Sequence, residues 1–158
     1  MKLTHLNAKN HPTMVDVGEK NITQRSAKAM GKIQMNKEAY EALKNSTAKK
    51  GPVIQTAIIA AIMGAKRTSE LIPMCHPIAI NSVDIEVEYD DAKHTITLIA
   101  GLKCDGKTGI EMEALTSVSI GLLTIYDMLK AIDKEMVISE IALLYKNGGK
   151  SGEFKKAL

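Results

Sequence analysis

The stretch that most restricts how this chain can fold is Cys104–Lys134, CDGKTGIEMEALTSVSIGLLTIYDMLKAIDK. Leu115, Val118, Leu122, Ile125, Leu129 and Ile132 recur at three- and four-residue steps, which predicts one long helix with a buried face. At about 100° per residue, Asp127 falls opposite the centre of that apolar stripe. Glu113, Thr116, Ile120, Thr124, Lys130 and Lys134 lie within about 60° of it. An Asp127–Lys130 pair on such a face is ordinarily a solvated ion pair that contributes about 0.3 kcal/mol. Here Ile120 and Leu123 interrupt the polar residues, so the face is expected to meet something other than water. Glu113 and Asp127 are also about 21 Å apart along the axis. One small ligand cannot bridge both on one helix. If both are functional, they serve different ends of a site or different subunits, which favours a protein–protein interface.

With 158 residues the chain is long enough for one domain with a real core, 1–158. Residues 1–20 are polar and aperiodic and read as an N-terminal arm. Residues 146–158 read as a glycine- and lysine-rich loop and tail. Aromatic residues make up 3%, with no Trp and one Phe. The core must therefore come from Ile, Leu, Val, Ala and Met, and the scarcity of rings argues against base-stacking platforms for single-stranded nucleic acid. A net charge of +3 is too weak to indicate DNA or RNA but suits a small anion where lysines converge. Cys75 and Cys104 form no CxxC motif, so a reducing compartment is expected. No signal-like run opens the chain, and the apolar stretch Val53–Ala65 is too short to span a bilayer. The expectation is a soluble cytoplasmic protein that engages neither membrane nor nucleic acid.

Along the chain, residues 22–35 alternate as a strand, and Asn36 caps a short helix to about Ala48. Pro52 is expected at the first helical position of Val53–Arg67, which is apolar nearly all round and should be buried on more than one side. Lys66 and Arg67 close that helix, where cations favour the dipole. Two prolines keep Leu71–Pro77 irregular. Val83–Tyr89 and Thr95–Ala100 alternate about a turn at Asp90–Lys93, which is a hairpin. Val137–Tyr145 is a final strand before KNGGKSG. The order is βαββαβ, with the first helix doubled: a ferredoxin-like α+β fold with an antiparallel sheet, expected to be oligomeric.

Gly101–Thr108 fits the phosphate-loop pattern G-x-x-x-x-G-K-[ST]. Its preceding strand belongs to a hairpin, however, and only one helix and one strand follow, so a nucleotide-hydrolysing core has no room. Cys75-His76 lacks the spacing of a zinc site and no second half exists, so no metal site is expected. His76 between prolines reads either as a rigidly placed acid/base group or as a structural histidine. Lys50, Lys66, Lys107, Lys130, Lys146 and Lys150 lie at element ends or beside glycines. Converging lysines with one carboxylate would provide charge neutralisation and a proton shuttle for phosphate esters.

MVDVGEK, AKRTSELIPMCHP, GKTGIEMEALT, LTIYDMLKAIDK and GGKSG together resemble the MoaC family of cyclic pyranopterin monophosphate synthases, lyases of molybdenum cofactor (molybdopterin) biosynthesis. The resemblance runs from Leu3 to Phe154 with the motifs in order, and departs at Met74 (for Leu) and Gly18. It implies a ferredoxin-like subunit in a hexamer, a trimer of dimers with active sites at the dimer interface. The implied substrate is a cyclised dihydroguanosine triphosphate derived from GTP, converted to the cyclic pterin monophosphate with release of pyrophosphate. By the same resemblance Asp127 is the acid/base, aided by Lys130 and Lys50. Met74, Cys75, His76, Met112 and Glu113 line the pterin site, with Glu111 a further candidate. Lys66, Arg25, Lys146 and Lys150 hold phosphates. No cofactor is implied as required, and a divalent cation could accompany the triphosphate. The alternative from another class is a non-catalytic nucleotide- or pterin-binding module, since fold does not imply catalysis.

Overall fold

In a computed structural model that describes residues 5–157, the chain forms one antiparallel sheet with its helices packed around a single apolar core. The first four residues of the expected arm lie outside the described residues. Strand β1 (Thr23–Gln34) runs through the middle of the sheet. On one side it pairs with β3 (Thr95–Gly106), from Thr23 opposite Gly106 to Gln34 opposite Thr95. On the other side it pairs with β4 (Val137–Asn147), through two register shifts. Strand β2 (Ile80–Asp90) flanks β3, and the short β5 (Phe154–Lys155) adds beyond β4. The order β2-β3-β1-β4 with the helices as crossovers is the ferredoxin-like arrangement, extended by one strand.

Helix α4 (Glu111–Leu129) lies against β1 and β3 and pairs with α2 (Val53–Lys66). Val118, Leu122, Ile125 and Leu129 are fully buried, and each such side chain stabilises the fold by roughly 1.5–3 kcal/mol. Small residues set how closely the layers approach. A Cβ at Gly31 would lie 2.7 Å from Leu122 Cδ1 and Val118 Cγ1, so the helix sits directly on the β1 backbone. By length and composition α4 could cross a membrane, but its apolar stripe is spent on this core.

Several boundaries differ from expectation. Strand β3 continues to Gly106, so the G-x-x-x-x-G-K-T segment is mostly ladder, with Gly101 opposite Lys28, and not a loop that could wrap a phosphate. Helix α4 ends at Leu129, not Lys134, although no Pro or Gly follows. Its stop is tertiary: Asp133 leaves the helix to accept from the backbone N–H of Asn36 (2.8 Å) and of Glu135 (2.9 Å). Helix α1 (Lys37–Lys44) is capped by Asn36, whose Oδ1 accepts from Ala39 N at 2.8 Å, and it stops four residues short of Ala48 at a left-handed Ser46. Pro52 caps α2 without being its first residue, and the one-turn helix α3 (Thr68–Leu71) follows Arg67.

Helix α2 is not buried all round within one chain. Ala57, Ala61 and Ala65 face the core, while Ile59 is 63% exposed and Met63 is also open. Part of the mixed face of α4 is met by α2 itself. Ile120 sits where a Cβ on Gly64 would be 2.8 Å away. Leu123, one turn from Asp127, stays 54% exposed.

Candidate functional site

Helices α2 and α4 run antiparallel, which separates the candidate residues into two groups. Gly64 lies beside Ile120, Ala57 and Ala61 beside Gly121, and Lys50 beside Asp127. The segment after α3 then continues toward the N-terminal end of α4. There Met74, Cys75 and His76 join Met112 and Glu113 around a cavity of about 460 Å³. That size falls in the range that holds a small organic ligand. Ile78 and Thr108 complete its inner wall, and Val15, Val17 and Lys20 of the N-terminal arm close its outer side.

Glu113 is the unusual group in that cavity. It is 3% exposed, and its Oε2 has no hydrogen-bond partner among the described residues. Burial pushes its carboxyl up to about 7, against the lowering effect of a backbone N–H, with nearby Glu111 raising it further. Burial of a charged carboxylate is costly, and neutralisation by a proton is the cheaper state. Near neutral pH it can donate a hydrogen bond as well as accept one. Cys75, half-buried beside it, has its thiol raised by burial and by the Glu113 charge, so it is a weak nucleophile.

At the other end of α4 lies a three-membered charge cluster. Lys130 Nζ donates to Asp127 Oδ1 at 2.8 Å, and Lys50 Nζ to Asp127 Oδ2 at 2.8 Å and to its backbone carbonyl at 2.9 Å. These contacts, Lys130 first and then Lys50, hold the Asp127 carboxyl down to about 2, and Asp127 in turn raises Lys130. The groups are exposed, so their worth to folding is small. Their exposure leaves all three groups open to contact from outside the chain.

A third set surrounds the start of α4. Arg25 donates from Nε to the Gly106 carbonyl at 3.3 Å and from Nη2 to that of Lys107 at 3.5 Å. Its side chain lies against Gly148 and Gly149, both at positive φ: a Cβ on Gly148 would crowd Cδ and one on Gly149 would overlap Nη1. Lys146 reaches Glu111 at 3.5 Å and donates to the Ser151 hydroxyl. Lys66, at the end of α2, and Lys150, in the turn after β4, make no salt bridge among the described residues. Within one chain the expected residues therefore gather at the two ends of α4 and do not converge. Sequence reasoning passed over the arm as a wall of the cavity. The signal was present in Val15-Asp16-Val17, where alternate residues face inward.

The family model described as the MoaC family matches residues 14–149. The chain is 65% identical to the cyclic pyranopterin monophosphate synthase of Helicobacter hepaticus, covering 98% of this chain and 97% of that one. It is 62% identical to the protein of the same name from Campylobacter jejuni strain 81-176, covering 99% and 100%. It is 63% identical to that of Helicobacter pylori strain HPAG1, covering 98% of each.

Proposed function

The chain belongs to the MoaC family, and on that premise we propose that it is itself a cyclic pyranopterin monophosphate synthase of molybdenum cofactor biosynthesis. It rearranges a cyclised dihydroguanosine triphosphate to the cyclic pterin monophosphate and releases pyrophosphate. The observation that carries the reading is Asp127 held between Lys50 and Lys130, each at 2.8 Å, on the helix whose other end buries Glu113 in a cavity.

Asp127 and Lys130 move protons during the ring rearrangement, with Lys50 keeping the carboxylate charged and aimed. The neutral Glu113 donates to a heteroatom of the bound ring, and Met74, Cys75, His76 and Met112 enclose its faces. Arg25, Lys66, Lys146 and Lys150 hold the phosphates, and Glu111 orients Lys146. No redox step is involved, so no cofactor is required, and any divalent cation rides on the triphosphate.

The two ends of α4 are about 21 Å apart, so a working site combines the Asp127 end of one subunit with the Glu113 cavity of another. The open apolar residues Ile59, Met63 and Leu123 support such an assembly. We place it as a homohexamer, a trimer of dimers. The free thiols of Cys75 and Cys104 suit the cytoplasm.

The test is pyrophosphate release from the cyclised triphosphate, wild type against Lys130→Ala. Release by wild type with a loss of about 10²-fold or more in the variant is expected. A folded wild type that binds the triphosphate and releases nothing would instead be a binding module.

A further inference from the structure

The lysine of the phosphate-loop-like segment has a different occupation from the one its motif suggests. Lys107 Nζ donates to the backbone carbonyl of Gly18, 89 residues away in sequence. Gly18 is presented by a tight turn, in which Asp16 Oδ1 accepts from Gly18 N at 2.7 Å and the Val17 carbonyl accepts from Lys20 N at 3.1 Å. Every other hydrogen bond made by residues 5–20, among the described residues, stays inside the arm. Among the described residues, 5–20 are thus fastened to the body by one polar contact and by what their side chains touch.

Those side chains alternate. Thr13, Val15 and Val17 are half-buried, whereas Met14, Asp16 and Gly18 are exposed. Val15 and Val17 turn toward the cavity that also holds Met112 and Glu113, and Lys20 stands at its rim. An extended segment with one apolar edge laid across an apolar slot forms a wall that covers the flat face of a ring and keeps water from a buried carboxyl.

Resting on the synthase reading for the identity of the ring, we propose that residues 13–20 form the outer wall of the heterocycle site and that Lys107 is the positioning residue that holds this wall closed. Lys107 touches no reacting atom. It fixes the Gly18 carbonyl, and the turn passes that constraint to Val15 and Val17. Its loss would weaken binding of the heterocycle and leave the proton relay at Asp127 unaffected.

Two measurements decide it. The first is amide hydrogen exchange of residues 14–20 in the ligand-free protein, comparing wild type, Lys107→Met and Lys107→Arg. Loss of one charged donor corresponds to roughly fivefold faster exchange in Lys107→Met, with Lys107→Arg near wild type. Equal exchange in all three overturns the tether. The second is steady-state pyrophosphate release from the cyclised triphosphate. KM is expected to rise roughly fivefold in Lys107→Met with kcat within about twofold, and Lys107→Arg to restore KM. An unchanged KM, or a loss confined to kcat, overturns the positioning role. If wild type released no pyrophosphate, the synthase reading would fail separately, and the exchange comparison would still decide whether Lys107 holds the arm.

Discussion

Replacing Glu113 with Gln removes a titrating group while keeping its shape, and the effect on stability can be worked from the burial of the carboxyl. The folded protein holds this proton up to about 7, against an ordinary value of 4.5. Between those two pH values the folded state binds a proton that the unfolded chain has released. Stability therefore falls as pH rises through that window and is constant above it. At about 1.4 kcal/mol per pH unit, the span amounts to about 3 kcal/mol, an upper figure for a group that can relax. Glu113→Gln has no proton to lose. Its stability relative to wild type should be near zero difference at pH 4.5 and should climb to about 2–3 kcal/mol in its favour by pH 8. Urea denaturation of both proteins at one fixed protomer concentration, from pH 4.5 to 8.5, measures this. The same proton should appear in kinetics: wild-type kcat/KM falls above about pH 7, and this limb is absent in the variant. Asp127, held at about 2, contributes no limb in that range. A stability difference flat to within about 0.5 kcal/mol across the series would refute the reasoning. Glu113 would then be ionised against a cation from outside the chain.

Two further outcomes follow from the geometry. Asp127→Asn and Glu113→Ala, each inactive or nearly so as pure oligomers, should regain pyrophosphate release when unfolded and refolded as a mixture, because a shared site leaves some interfaces with both wild-type groups; no recovery beyond either parent would place the site within one chain. Gly149→Ala puts a methyl group where Arg25 Nη1 lies and strains a backbone at φ +75°. It should cost about 1–3 kcal/mol of stability by chemical denaturation and weaken triphosphate binding by calorimetry, with Gly152→Ala, which meets no atom within 4 Å, showing the backbone strain alone.

The βαββαβ order, the hairpin and the long buried helix were legible in local pattern, because a 2- or 3.6-residue period follows from where each side chain must point, whereas the short α3 and β5, the latter within the expected C-terminal tail, are too brief to show a period. Asn36 as a cap was legible for the same reason: a short side chain bonding three residues ahead is a local event. The Asp127–Lys130 pair was likewise set by helical spacing alone. What the chain could not declare locally depends on partners distant in sequence. Helix α4 stops at Leu129 because Asp133 is wanted by Asn36, 97 residues away. The GKT lysine reaches Gly18 because β3 continues through the supposed phosphate loop and delivers it beside the arm. The state of Glu113 was invisible in sequence, since a glutamate in a helix's first turn is ordinarily solvated and ionised at the positive dipole end. Only the packing of the arm, the Met74–His76 segment and α4 around it buries the carboxyl, and desolvation then outweighs the backbone N–H that favours the charged form. Local periodicity determined which elements form, and tertiary burial decided which of their polar groups keep a charge.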